Sequence, residues 1–280
     1  MSEPRRTRTD VVIPVYAHVG LTRRCIESVL EHSGPELGRL VLVHDCGPEP
    51  EMLPMLRAFR LADPRIIVLE NEHNRGFISS SNRGLSLGAG DAVLLNSDTR
   101  VTPGWLSGLR EVAEAHPRIA AITPLSNNGF LCSVPVLQRS SPTSLFEPLE
   151  LDLSGLPLYT LMPTAVGFCL WMRAEARQRL GLLDPRYGRG YHEENDWCQR
   201  ARGAGYLVAR ANRVFVYHEG EVSFGGQRRV LDVLNLRRLV RRYPKYLEET
   251  AAFEARPEAH QAARYVAAQL ARRSPHSSIG

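Results

Sequence analysis

An α/β fold built on a mostly parallel central sheet, with helices on both faces, is what the first hundred residues predict. Three observations carry this expectation. Short apolar runs of the buried-strand type recur at 11–16, 40–43, 66–69 and 92–95. Between them apolar residues recur at helical intervals, and loops rich in Gly, Pro and Asn close several of the runs. A chain that alternates strand and helix in this way forms parallel neighbours joined by crossover helices.

The elements follow in order. Val11-Val12-Ile13-Pro14-Val15-Tyr16 predicts the first strand, and Leu21, Cys25, Ile26, Val29 and Leu30 predict a helix behind it. Leu40-Val41-Leu42-Val43 ends at His44-Asp45-Cys46-Gly47-Pro48, whose Gly and Pro mark a loop. A helix from Met52 to Leu61, a strand at Ile66-Ile67-Val68-Leu69, a helix over 82–87 and a strand at Ala92-Val93-Leu94-Leu95 complete the regular half. Beyond it the text predicts a helix at 105–115, strands at 119–122 and 165–172, a helix from near Glu194, and a late strand, Val214-Phe215-Val216-Tyr217. The Pro/Ser-rich passage 134–159 is long for a connection and is expected to order over substrate as a lid or acceptor-binding segment. From Leu231 the chain reads as helical and arginine-rich. The expected organisation is a catalytic domain at 1–225, a helical extension at 226–273 and a disordered tail at 274–280, with no internal repeat.

With 43% apolar residues, 280 positions supply the core of one large domain. The net charge of +5 rests almost wholly on arginine, since Lys245 is the single lysine. No basic run interleaved with aromatics occurs, so no nucleic-acid partner is expected. Five cysteines, Cys25, Cys46, Cys132, Cys169 and Cys198, show no CxxC spacing and cannot all pair, which fits a reducing, cytoplasmic compartment. The start Met1-Ser2-Glu3-Pro4-Arg5-Arg6 is polar and no stretch of ~18 apolar residues follows, so no transmembrane segment is expected and membrane association would be peripheral.

In parallel sheets, ligands collect at the carboxyl ends of strands, so Tyr16, Asp45, residues 71–76 and residues 96–98 should share one rim. Asp98, in Leu94-Leu95-Asn96-Ser97-Asp98-Thr99, offers a strand-end carboxylate for Mg²⁺ or Mn²⁺; it reads equally as a turn former ahead of Val101-Thr102-Pro103. Glu193, Glu194 and Asp196 crowd three carboxylates at a helix start, where they complement the dipole, while one of them can serve as a general base. His218 follows a strand, either as a structural residue or as an imidazole partner for Mn²⁺. Asp45 reads as a loop former or as an acceptor for a ribose or nucleobase. Asn74-Arg75-Gly76-Phe77 and Asn82-Arg83-Gly84 place amides and cations beside an anionic ligand. Together these residues point to a metal–diphosphate site with a nearby base, and so to sugar transfer from a nucleotide donor.

The ordered set resembles the family 2 inverting glycosyltransferases, which have the Rossmann-like nucleotide-diphospho-sugar transferase (GT-A) architecture. The matching text is Val12-Ile-Pro-Val-Tyr16, Asp45, Asn74-Arg-Gly-Phe, Asn82-Arg-Gly, Leu95-Asn-Ser-Asp98, Gly167-Phe-Cys-Leu-Trp, Gly190-Tyr-His-Glu-Glu-Asn-Asp-Trp-Cys and Val216-Tyr-His218, over residues 9 to 225. The resemblance implies that Pro14, Tyr16 and Asp45 surround the nucleoside and that Asn74, Gly76, Asn82, Asn96 and Ser97 serve the donor. It further implies that Asp98 and His218 hold Mn²⁺ or Mg²⁺ and that Glu194 is the base among Glu193, Glu194 and Asp196. Two positions depart from the family pattern: Asn96 stands at the first position of the usual Asp-x-Asp, and Glu194 stands where Asp is usual. The implied activity moves a hexosyl or deoxyhexosyl group to a hydroxyl on a glycan, a lipid-linked glycan or a small molecule, in bacterial polysaccharide or glycoconjugate assembly. Two alternatives stay open: a non-catalytic nucleotide- or glycan-binding module of the same fold, and a sugar-1-phosphate nucleotidyltransferase. The second normally carries a Gly-rich loop after its first strand, which Tyr16-Ala17-His18-Val19-Gly20 lacks.

Overall fold

The first strand, β1 (Thr9–Val15), alternates its side chains between two cores: Val11, Ile13 and Val15 enter one, and Val12 enters the other. This period of two lets both faces of a sheet be apolar and buried. The computed structural model describes residues 8–137, 151–220 and 228–273. After β1 come α1 (Val19–His32), β2 (Leu37–His44), α2 (Met52–Ala62), β3 (Ile66–Glu70), α3 (Phe77–Leu85) and β4 (Ala92–Leu95). They continue with β5 (Thr99–Val101), α4 (Trp105–Ala115), β6 (Ile119–Leu125), β7 (Tyr159–Leu161), β8 (Cys169–Met172), α5 (Ala174–Leu180) and α6 (Glu193–Gly203). The last described elements are β9 (Leu207–His218), α7 (Arg228–Arg242), α8 (Tyr246–Glu254) and α9 (Pro257–Arg273).

The expected class is the one observed. Strands run in the order β3-β2-β1-β4-β8-β6-β9-β5, with β7 also on β9. The four strands of the regular half pair in parallel. Further on, β8 runs antiparallel between β4 and β6, while β9 is parallel to β6 and antiparallel to β5 and β7, so the second half of the sheet is mixed.

One core holds α1, α2 and α4 against the sheet through Ile26, Leu56 and Leu109; the other holds α3, α6, α7 and α8 through Ile78, Trp197, Leu239 and Phe253. A third cluster seats α9 on the end of β9, with Val266 beside Phe215 and Tyr217. Gly84 lets α3 lie close on β1, because a Cβ there would overlap the Val12 side chain.

Three expectations need correction. The strand expected at 165–172 is confined to Cys169–Met172. Ahead of it the backbone leaves the sheet: the Ala165 N–H points to Cys198 Sγ at 3.4 Å, and the Phe168 carbonyl accepts from the Asn96 N–H at 2.8 Å. The late strand begins at Leu207 rather than 214, because its polar residues Arg210 and Asn212 are buried and bonded internally. The helix placed at 82–87 starts at Phe77, capped by Gly76. Half of the expected lid, 138–150, and the expected tail, 274–280, lie outside the described residues. The lid's described flank packs inward, with Leu153 and Leu156 in the third cluster. Among the described residues no helix is long and apolar enough to cross a membrane.

Candidate active site

The carboxyl ends of β1, β2 and β4 open onto a cleft of about 830 Å³, closed on the far side by residues 165–168, 189–195 and the start of α7 and α8. Pro14, Tyr16, Asp45, Asn74, Gly76, Asn96, Ser97, Asp98, Glu193, Glu194 and His218 all line it. The structure therefore brings together eleven of the thirteen residues singled out from sequence, and it leaves Asn82 and Asp196 outside.

The loops after β1 and β2 form one wall. The Val15 carbonyl accepts from the Asp45 N–H at 2.8 Å, and Gly47 lies so close beneath Tyr16 that a Cβ would overlap the Tyr16 carbonyl. Asp45 is 4% exposed, and its carboxylate accepts from Asn71 Nδ2 at 2.7 Å and from the N–H groups of Arg75 and Gly76 at 2.8 Å each. A carboxylate has about four acceptor positions. Asp45 therefore builds the 74–76 loop and keeps room for about one further donor.

A short antiparallel pair sets the second wall. Thr99 on β5 is opposite His218 on β9, which brings Asp98 Oδ1 to 3.5 Å from His218 Nε2. His218 is tightly held. Its N–H donates to Asn127 Oδ1 at 2.8 Å, its ring stacks on Phe168 at 4.9 Å, and Nδ1 lies 2.9 Å from the Asn128 carbonyl. A carbonyl can only accept, so Nδ1 carries the proton, and the neutral ring presents the Nε2 lone pair toward Asp98. Two ligand arms of about 2.2 Å to one cation span this separation at an angle near ~105°, so the pair fits adjacent positions around an Mn²⁺ or Mg²⁺ ion. Asn96 adds a buried Oδ1 that has no hydrogen-bond partner among the described residues. Glu219, next along the chain, has its carboxyl pKa raised by burial.

The third wall carries the acids. Tyr191 and His192 both adopt the left-handed region, at φ 72° and 70°, and turn the chain into α6 with Glu193 and Glu194 facing the cleft. Such φ values cost non-glycine residues energy and gather at functional sites; His18 and Cys46, on the loops after β1 and β2, adopt them too. Burial and mutual repulsion push Glu193 well above the usual carboxylate range, and burial raises Glu194 as well. Glu193 Oε2 is buried without a hydrogen-bond partner among the described residues. Glu194 lies against bare Gly167, where a Cβ would stand 3.4 Å from Glu194 Cγ.

The two excluded residues serve the fold. Asp196 is fully buried and accepts from Arg200 Nε at 2.9 Å and Arg242 Nη1 at 2.8 Å, with the Tyr243 hydroxyl at 3.2 Å. It ties α6 to α7 and is turned away from the cleft by the ~100° step per helical residue. Asn82 clamps the Leu183 backbone, donating through Nδ2 to its carbonyl at 2.8 Å and accepting its N–H at 3.0 Å. Asn128, whose carbonyl bonds His218, Arg189, which lines the cleft, and Tyr246 beside Glu194 escaped the sequence reading, while Phe168, stacked on His218, and Asn195 stood in its matched motifs without a role. For Arg189 the available signal was a cation between two glycines, Gly188 and Gly190, which the structure places at φ 68° and 134°.

The glycosyl transferase family 2 model matches residues 10–181. Among curated proteins, the uncharacterized protein y4gI of Sinorhizobium fredii is 34% identical over 110 residues, 39% of this chain and 12% of that protein. A Drosophila melanogaster protein named "Putative inactive polypeptide N-acetylgalactosaminyltransferase 11" is 35% identical over 112 residues, 39% of this chain and 20% of that protein. The matched segment thus spans a fifth or less of these relatives. Among solved structures, the mannosyltransferase PcManGT from Pyrobaculum calidifontis in complex with GDP-Man and Mn²⁺ superposes with a TM-score of 0.65 at 17% identity, covering 98% of this chain and 77% of that one. GalNAc-T7 with UDP, GalNAc and Mn²⁺ gives 0.62 at 17% identity, covering 98% and 55%. At such identities the likeness establishes the fold.

Proposed function

The chain belongs to glycosyl transferase family 2, and we propose that it transfers a hexosyl or deoxyhexosyl group from a nucleoside diphosphate to an acceptor hydroxyl, with inversion at the anomeric carbon. One observation carries this reading: a carboxylate–imidazole pair 3.5 Å apart and a buried carboxylate of raised pKa face the same cleft. Pro14, Tyr16 and Asp45 line the side that would take the nucleoside, and Arg189 is positioned to meet diphosphate charge.

Asp98 and His218 would hold Mn²⁺ or Mg²⁺, which when bound offsets the negative charge of the departing diphosphate. Glu194 accepts the proton of the acceptor hydroxyl, since a carboxylate of raised pKa is a stronger base than an ordinary one. The freed oxygen pair attacks the anomeric carbon from the side opposite the diphosphate. The carbon–oxygen bond to the diphosphate breaks as the new bond forms, and the nucleoside diphosphate leaves with that electron pair. Gly167 leaves the space beside Glu194 open for the hydroxyl.

The two similar solved structures hold Mn²⁺ with GDP-Man or UDP, which supports a divalent cation and a nucleotide-sugar donor here. All five cysteines are free, which agrees with a cytoplasmic setting where nucleotide sugars are available. Glycans, lipid-linked glycans and small molecules are the acceptor classes to screen, with polysaccharide or glycoconjugate assembly as the process served. The test is a panel of nucleotide sugars incubated with Mn²⁺, scored for sugar release and transfer. Metal-dependent turnover that falls ~10²–10⁴-fold in Glu194→Gln, with diphosphate binding retained, is the expected result. Diphosphate binding with no sugar release from any donor would instead identify a non-catalytic binding module.

A further inference from the structure

Asn195 uses every hydrogen-bonding position of its side chain. Its Oδ1 accepts from the Thr164 hydroxyl at 2.8 Å and the Tyr246 hydroxyl at 2.9 Å. Its Nδ2 lies 2.9 Å from Glu194 Oε1 and 3.3 Å from His192 Nδ1. An amide offers two acceptor positions and two donor hydrogens, so the group is saturated. Its orientation follows from charge: a flipped amide would set its carbonyl oxygen against the Glu194 carboxylate, whereas the observed one sets an N–H there. The His192 ring then accepts at Nδ1, which leaves the proton on Nε2 for Asp232 Oδ1 at 2.9 Å. Asp232 belongs to α7 and Tyr246 to α8.

We infer that Asn195 is a positioning residue for Glu194, locked by Thr164 and Tyr246, so that the C-terminal helices set the geometry and charge of the carboxylate in the cleft. The inference rests on the reading of Glu194 as the base, although its central measurement does not. A hydrogen bond donated to a carboxylate favours the ionised form, and this bond opposes the burial that raises Glu194. The other titratable groups around Glu194 are Glu193, His192 and Cys198 on or beside α6, Tyr246 on α8, and Asp232 on α7 acting through His192. Replacing the amide removes none of these groups, and of them only His192, at Nδ1, loses a hydrogen bond along with Glu194.

The experiment follows the Glu194 carboxyl by ¹³C NMR in the full chain labelled at glutamate, with Glu194→Gln identifying its resonance. In Asn195→Leu, of the same branched shape but without donors, the titration midpoint should rise by about one pH unit or more, as expected for losing one hydrogen bond to a charged group. Thr164→Val with Tyr246→Phe leaves Asn195 in place but frees it to turn, and should move the midpoint the same way by less. This pair keeps the test alive if Asn195→Leu fails to fold. Where turnover is measurable, the acid limb of the pH–kcat profile should move with the carboxyl while donor KM stays near wild type. An unmoved midpoint in both folded variants overturns the inference, whatever the activity. A moved midpoint with Glu194→Gln fully active upholds the amide's hold on Glu194 but overturns Glu194 as the base.

Discussion

Replacing Asp196 by Ala should damage stability and spare the donor site, the opposite of what removing a catalytic acid does. The carboxylate is fully buried, with Arg200 Nε at 2.9 Å and Arg242 Nη1 at 2.8 Å. Removing one member of a buried pair costs about 3–5 kcal/mol, because a charge is left without its partner. Two facts pull this toward the low end. Arg200 keeps the carbonyls of Leu180 and Leu182, at 2.6 and 2.7 Å, and the Arg242 side chain is 39% exposed, so solvent screens its share. A loss of about 3 kcal/mol lowers the melting temperature of a chain this size by roughly 6–10 °C. Thermal melts by circular dichroism measure this, and calorimetry with Mn²⁺ and a nucleoside diphosphate shows whether the cleft survives below the new midpoint. A melting temperature within about 2 °C of wild type, combined with lost turnover, would refute the reasoning and return Asp196 to the candidate bases.

Glu193 is held above its ordinary pKa, so the native state binds more protons than the unfolded chain between the two values, and stability falls as pH rises through that window. Glu193→Gln should therefore match wild type in acid and melt increasingly higher than wild type as pH rises; a pH-independent difference would contradict this. Asp98→Ala should weaken Mn²⁺ binding, read by electron paramagnetic resonance titration, by at least about tenfold without altering the fold, since it removes half of the pair at 3.5 Å. Gly47→Ala should raise the donor KM and lower stability, because the loops after β1 and β2 must part to admit the methyl group; unchanged kinetics and melting would show that the contact is looser than it looks.

How far the site was legible is shown by one triplet that occurs twice. Asn74-Arg75-Gly76 precedes α3 and lines the cleft with its loop, whereas Asn82-Arg83-Gly84 lies inside α3, where Asn82 clamps Leu183, Arg83 reaches the Glu70 carbonyl at 2.8 Å and Gly84 packs on Val12. The residues match; their phase on the helix differs, and only the fold fixes that. Strand-end positions were readable because strand–helix alternation places them on one rim. β5 and β7, three residues each, were not, since so short a run has no period to detect. Nor could spacing show that Asn195 would be reached from α8, because Tyr246 lies 51 residues further along the chain.

Arg210 gives this long-range dependence a timescale. Its guanidinium, 2% exposed on β9, donates to the carbonyls of Leu131, Glu258 and Ala259 at 2.9–3.0 Å. Two of those acceptors lie at the start of α9, so on a ribosome adding ~5–20 residues per second they emerge seconds after the strand that needs them. Until then β9 holds a cation with too few acceptors. The nascent chain can assemble β1 to β4 early, but a nascent-chain force measurement should show β9 locking into the sheet only once residue 259 has cleared the exit tunnel.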